Sequence, residues 1–143
     1  AQLAEECRRA GLFQESIDVC RSGLELHPGY LSARVTLGRA FLQLGQYDAA
    51  QRELEQVRRN APENLAAIRG LAEIHHKLGA FDAAHTYYSI ALGLAPNDPE
   101  LERSAAALAS DLDRRAEMAN DTRSVRVIAA LEQWLAAIHV ARA

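Results

Sequence analysis

The chain has 143 residues, 49% of them apolar, and a formal net charge of -3. That length allows one compact domain or a few stacked repeats. The acidic balance excludes nucleic acid as the main ligand, because phosphate binding needs a basic surface. Lys77 is the only lysine, arginine is plentiful and alanine makes up about a fifth of the chain, a composition that points to a high-GC bacterial genome. Residue 1 is Ala rather than Met, so a fragment or processed form is expected. No apolar run approaches the length of a transmembrane helix and no leader is visible, so no membrane insertion and a cytoplasmic location are expected, or a periplasmic one if a longer chain carries a signal.

Taken in chain order, residues 1–30 form a first, shortened unit, followed by full units at 31–64 and 65–98. The units share three sets of residues spaced 34 apart: Gly11, Gly45 and Gly79; Phe13, Tyr47 and Phe81; Pro28, Pro62 and Pro96. A fixed period of this length belongs to stacked supersecondary units, not to one globular core. Each unit reads helix, turn, helix. The glycines suit C-terminal caps, because only glycine enters the left-handed region without cost. Asp48 is expected to cap the helix that follows Gly45. Pro62 and Pro96 follow helix ends, where proline prevents continuation. Small residues fall where two helices must approach closely: Ala4, Gly38 and Ala72 on the first helices, Ser16, Ala50 and Ala84 on the second. Leu3, Leu37, Leu71, Leu54 and Tyr88 flank them as large partners.

The period ends after residue 98. Asp98-Pro99-Glu100 is a helix start, with an N-cap, a proline at the first helical position and acid near the positive end. Leu101, Ala105, Leu108 and Leu112 then form one apolar stripe, as a cap on the repeats would. Residues 119–124 read as a loop. The last helix is expected over 124–141. Val127, Ile128, Leu131, Trp134, Leu135 and Ile138 fall within an arc of about 120° on it. We read it as a second capping helix with the Trp134 ring largely buried. A homodimer or partner contact through this face is the alternative, and a membrane-surface helix is disfavoured by the shortage of basic residues on its polar side.

These residues resemble the tetratricopeptide repeat, whose pattern runs W-x2-L-G-x2-Y, then A-x3-F, then A and P. The second unit places Leu37, Gly38, Phe41, Ala50, Leu54, Val57 and Pro62 in those slots. The third places Leu71, Ala72, His75, Ala84, Tyr88, Ala91 and Pro96 there. The first matches with Leu3, Ala4, Cys7, Ser16, Cys20, Gly23 and Pro28, and Arg34 and Ile68 stand in the tryptophan slot. The resemblance implies an all-α, right-handed superhelical solenoid with C-terminal capping helices. It also implies a non-catalytic role, in which a protein or peptide partner docks on the first helices. By position the groove is lined by Glu5, Arg8 and Arg9, then Ser32, Val35, Thr36, Arg39, Leu42 and Gln43. Ala66, Arg69, Glu73, His76, Lys77 and Arg103 complete it. Arginine and lysine outnumber Glu73 in its middle, which favours an acidic segment, since guanidinium pairs bidentately with carboxylate. The family's lysine and asparagine clamp for a terminal carboxylate is replaced by Val35, Arg39, Arg69 and Glu73.

Other candidates reduce to structure. His75 and His76 point about 100° apart on a helix, so they do not form a metal pair with Glu73 and His85. Cys7 and Cys20 face the interior of the first unit as buried thiols, with a disulfide as the alternative. There is no phosphate-cradling glycine loop, no GxSxG and no HExxH, so no enzyme activity and no cofactor are expected. The expected function is a scaffold or adaptor, with self-association through 124–141 or end-to-end stacking as the rival.

Overall fold

The computed structural model describes residues 1–142, and among them every regular element is an α-helix. In chain order these are α1 (Gln2–Arg9), α2 (Phe13–Leu26), α3 (Leu31–Gln43), α4 (Tyr47–Asn60), α5 (Leu65–Lys77), α6 (Phe81–Leu94) and α7 (Pro99–Arg142). The chain divides into a compact unit, residues 1–108, and a second unit from Ala109 onward.

Within residues 1–108 the turn chemistry follows the glycine period. Gly11, Gly45 and Gly79 have φ of 79°, 74° and 75°, the only positive values among the described residues. At each turn the glycine N–H and the next N–H bond back to the helix just ended. Gly45 N–H donates to the Leu42 carbonyl at 3.0 Å, and Gln46 N–H donates to the Phe41 carbonyl at 2.9 Å. This satisfies carbonyls that the helix end would leave unpaired. The entry to α4 differs from expectation. Gln46 is its N-cap, without a side-chain hydrogen bond, and Asp48 lies inside the first turn. Asp48 therefore acts through the helix dipole and not as a cap. Asp98 does cap: its Oδ1 accepts from Glu100 N at 2.9 Å and Leu101 N at 3.2 Å.

The small residues sit where close approach demands them. Ala4, Ser16, Ala50, Ala72 and Ala84 are fully buried, and Ser16 Oγ donates to the Ala4 carbonyl at 2.8 Å. Leu54 is the key of the centre. A Cβ placed on Gly38 would lie 2.7 Å from Leu54 Cγ and Cδ2, and one on Gly70 would lie closer still to Leu54 Cδ1. One leucine of α4 thus fills hollows left by two glycines, on α3 and α5. Leu3 breaks the pattern. It is 60% exposed where its counterparts Leu37 and Leu71 are 3% and 0% exposed, because among the described residues no helix packs on the outer side of α1. Cys20 is buried, Cys7 is half-buried and both are free thiols. Burial pushes the Cys20 thiol up to about 11, so it remains protonated and inert.

The C-terminal region departs from the expected two helices. No loop interrupts residues 119–124, and α7 is continuous from Pro99 to Arg142. Asn120, Asp121 and Thr122 are weak helix formers, yet none is Gly or Pro, and alanine-rich sequence flanks them. Thr122 Oγ1 donates to the Met118 carbonyl at 2.9 Å, which keeps its hydroxyl inside the helical pattern. Leu101 and Leu108 are buried and Ala105 is half-buried, so the opening turns of α7 do close the repeat core. Trp134, expected to be buried, is 61% exposed, and Val127, Ile128, Leu131 and Leu135 are exposed with it, while Ile138 is half-buried. The second capping helix is not formed. By length and composition α7 also passes as long and apolar enough to cross a membrane, through an 18-residue window of mean hydropathy 1.2. This differs from the expectation that no apolar run approaches that length, because the window counts mean hydropathy across Arg126 and Glu132 rather than an unbroken apolar run.

Candidate protein-binding groove

The first helices α1, α3 and α5 contact one another from unit to unit, whereas the second helices make no comparable contacts among themselves. First-helix side chains therefore line the inner face of residues 1–108. The period brings the expected groove residues to this face, but their environments differ.

The arginines are sorted by their partners. Glu5 is the hub of the first cluster. Arg8 grips it bidentately, with Nη2 2.6 Å from Oε1 and Nε donating to Oε2 at 2.9 Å. Arg8 Nη1 also donates to Gln43 Oε1 at 2.9 Å, tying α1 to α3. Arg9 Nε reaches Glu5 Oε1 at 3.2 Å. Arg39 Nη1 stands 3.9 Å from the same oxygen. The Arg8 hydrogen bond, opposed by burial, holds the Glu5 carboxyl down at about 2. Three guanidiniums thus share one carboxylate, an excess of two positive charges.

Arg39 is the least satisfied of them. Among the described residues it has no hydrogen bond, and the 3.9 Å ion pair is its one polar contact. Its pKa is lowered, first by burial and then by the repulsion of Arg8 and Arg69, with Glu5 and Glu100 pulling the other way. It remains a cation at any relevant pH.

Arg69 is the opposite case. It lies 3.2 Å from Asp98 Oδ2 and 2.5 Å from Glu100 Oε2, so two carboxylates surround one guanidinium. Arg69 in turn holds the Glu100 carboxyl below its usual range. The groove is therefore uneven, with guanidinium in excess around Glu5 and Arg69 already matched by Asp98 and Glu100. Asp98 and Glu100, which stand outside the first-helix positions, add two acids beside Arg69 to the mildly basic groove expected from Arg39, Arg69, Lys77 and Arg103. Arg103 Nε donates to the Pro99 carbonyl at 3.2 Å.

Other lining residues separate in the same way. Ser32, Gln43, Glu73 and Lys77 are exposed, and Val35 is half-buried. Leu42, expected at the surface, belongs to the hydrophobic core. Thr36 is buried, its Oγ1 donating to the Ser32 carbonyl at 3.1 Å. His76 packs edge-on against Phe81 and Tyr88, at 5.9 and 6.3 Å between ring centroids, so it serves the α5–α6 contact. His75 stacks on Tyr87 at 5.3 Å. Among the described residues no group of three His, Cys, Asp or Glu is placed to hold a metal ion. Away from the groove, an open cleft of about 460 Å³ is lined by Arg21, Arg34, Phe41, Arg52 and Glu53 among others. Two of its arginines are engaged locally: Arg34 pairs with Glu53 at 2.9 Å and Arg21 sits 5.6 Å from the Phe41 ring centroid.

Stacked helix-turn-helix units with glycine-capped first helices define a helical-repeat protein. Residues 35–99 match the tetratricopeptide repeat family, and the chain folds as a tetratricopeptide-repeat solenoid. No curated protein matches the chain. Among solved structures, it is similar to the first tetratricopeptide domain of Spaghetti (RPAP3) bound to the HSP90 peptide SRMEEVD. Identity is 17%, with 78% of this chain and 89% of that one covered, at a TM-score of 0.73. It is similar to the first such domain of human RPAP3 at 16% identity, covering 81% and 91%, with a TM-score of 0.75. It is also similar to MamA of Desulfovibrio magneticus RS-1 at 21% identity, covering 83% of this chain and 67% of that one, with a TM-score of 0.72.

Proposed function

We propose that the chain is a non-catalytic binding module that docks an acidic protein segment on its inner face, as a scaffold or adaptor in a larger assembly. Arg39 carries this reading. It is a half-exposed guanidinium without a hydrogen bond, beside a cluster with excess positive charge. An incoming carboxylate at hydrogen-bond distance would improve on its 3.9 Å contact with Glu5. The peptide on the Spaghetti domain, SRMEEVD, has the acidic character this site would select. The test is fluorescence anisotropy with that labelled peptide as probe. Arg39→Glu should weaken binding at least about tenfold, because attraction becomes repulsion, and added salt should weaken the wild type. Arg69→Glu should matter less, since Arg69 is already paired. Unchanged affinity in Arg39→Glu would overturn the reading.

A second reading, self-association through residues 124–141, is supported by the exposure of the apolar arc of α7.

A further inference from the structure

The apolar arc of α7 has an internal symmetry. Ile128, Leu131, Leu135 and Ile138 read the same in both directions about Gln133. Their 3-4-3 spacing sets them in one seam, with Gln133 on the opposite side of the helix. The two edges of the seam differ. Val127 and Trp134 lie along one, and Glu132 and His139 lie along the other.

We propose that this face pairs with the same face of a second copy, antiparallel, about a twofold axis beside residue 133. The proposal rests on the self-association reading above and adds its geometry. Antiparallel pairing sets Ile128 against Ile138 of the partner subunit, and Leu131 against Leu135 of the partner subunit. It also keeps like edges together. The Val127–Trp134 edges of the two helices meet, and the whole apolar arc is covered. A parallel pair would lay Trp134 against the edge that carries Glu132 and His139, burying charge beside the indole.

The area suits a second copy. Val127, Ile128, Leu131, Trp134 and Leu135 are each at least half exposed. With Ile138 they offer roughly 600 Å² per chain, taking about 100 Å² for each side chain. A symmetric pair would bury about 1,200 Å², the lower edge of a specific interface. A monomer seldom leaves so large an apolar patch uncovered. Antiparallel pairing has one unfavourable element, because it brings the two Glu132 side chains near each other at the twofold. That defect supplies the test.

The experiment is sedimentation equilibrium of the full chain from about 1 to about 200 µM, where an interface of this size should populate a dimer. Leu131→Asp should be monomeric throughout while keeping its helical circular dichroism. An equimolar mixture of wild type and Glu132→Lys should dimerise about two- to fivefold more tightly than either protein alone, since a like-charge contact becomes an opposite one. Glu132→Gln, which keeps the helix, should tighten the dimer about twofold. A monomer at all concentrations, or a dimer that survives Leu131→Asp, would overturn self-association through this face. A dimer lost in Leu131→Asp but not strengthened in the mixture would overturn the antiparallel arrangement and leave self-association standing. Flotation of the monomer with vesicles of phosphatidylcholine and phosphatidylglycerol would assign the face to a lipid surface instead.

Discussion

Leu54 and Gly38 offer the sharpest test of how the repeats are held together. Leu54 is fully buried and lies over the glycines of two neighbouring first helices. Leu54→Ala removes the methyl groups that fill those hollows and leaves a cavity, at a cost of about 3–5 kcal/mol. Gly38→Ala adds a methyl group 2.7 Å from Leu54 Cγ, which is not the free end of the side chain, and the overpacking costs about 1–3 kcal/mol. About 1 kcal/mol of that is offset by the better helix propensity of alanine. The double variant differs from both, because the new methyl enters space that Leu54 has vacated and the clash disappears. It should therefore be about 1–2 kcal/mol more stable than the sum of the single effects predicts. Urea unfolding followed by helical circular dichroism measures all four proteins, provided their slopes agree. Additivity within about 0.5 kcal/mol would refute the claim that Leu54 is keyed into the Gly38 hollow.

Two further outcomes follow from single residues. Gly45→Val places a β-branched residue at φ 74° and should destabilise by about 1–2 kcal/mol, so an unfolding midpoint within a degree of wild type would refute the role given to this turn. Glu5 has a depressed pKa, so its stabilisation is present above its ordinary value of 4.5 and is lost as pH falls toward about 2. It amounts to at most about 3 kcal/mol. Urea midpoints at pH 6 and 2.5 should therefore converge less steeply in Glu5→Gln than in wild type, and equal pH dependence would contradict the hub role of Glu5.

Much of this was legible in the sequence because local chemistry decides it. A glycine at a fixed period can be read as a left-handed turn, and the three glycines adopt it. Small residues at matched positions can be read as close approach, and Ala4, Ala50, Ala72 and Ala84 are buried. Asp98 before a proline can be read as a cap. The failures arise where the outcome depends on tertiary partners or on competition between weak preferences. Asn120-Asp121-Thr122 carries turn character, but without Gly or Pro it does not outweigh helical residues on both sides. With helix running through 119–124 there is no separate second capping helix, and Trp134 is exposed. Gly70 stands outside the family's glycine slot, so its part in seating Leu54 left no periodic trace. In the groove, counting arginines overlooked pairing. The spacing of Glu5, Arg8 and Arg9 signals the first cluster, but Asp98 and Glu100 reach Arg69 from the start of α7, about 30 residues on, and no helical spacing displays that.

The pairing pattern also determines which arginine is available to a ligand. An arginine is recruited at low cost only if its present partner is weak. Arg8 fails this condition, because its bidentate hold on Glu5 and its bond to Gln43 fix it as a strut between α1 and α3. Arg69 fails it as well, since an incoming acid would have to displace Asp98 and Glu100, which already flank its guanidinium. Arg9 is exposed, and surface pairs such as its contact with Glu5 are worth about 0–1 kcal/mol. Arg39 alone combines partial burial, which strengthens an ion pair, with a contact too long to be a hydrogen bond. A carboxylate placed on Arg39 gains the bond that Glu5 does not make, while Glu5 stays fixed by Arg8 and rejects a second acid that approaches too closely. On the proposed reading, the groove would take a single acidic group at α3, flanked by the exposed polar residues Gln43 and Glu73.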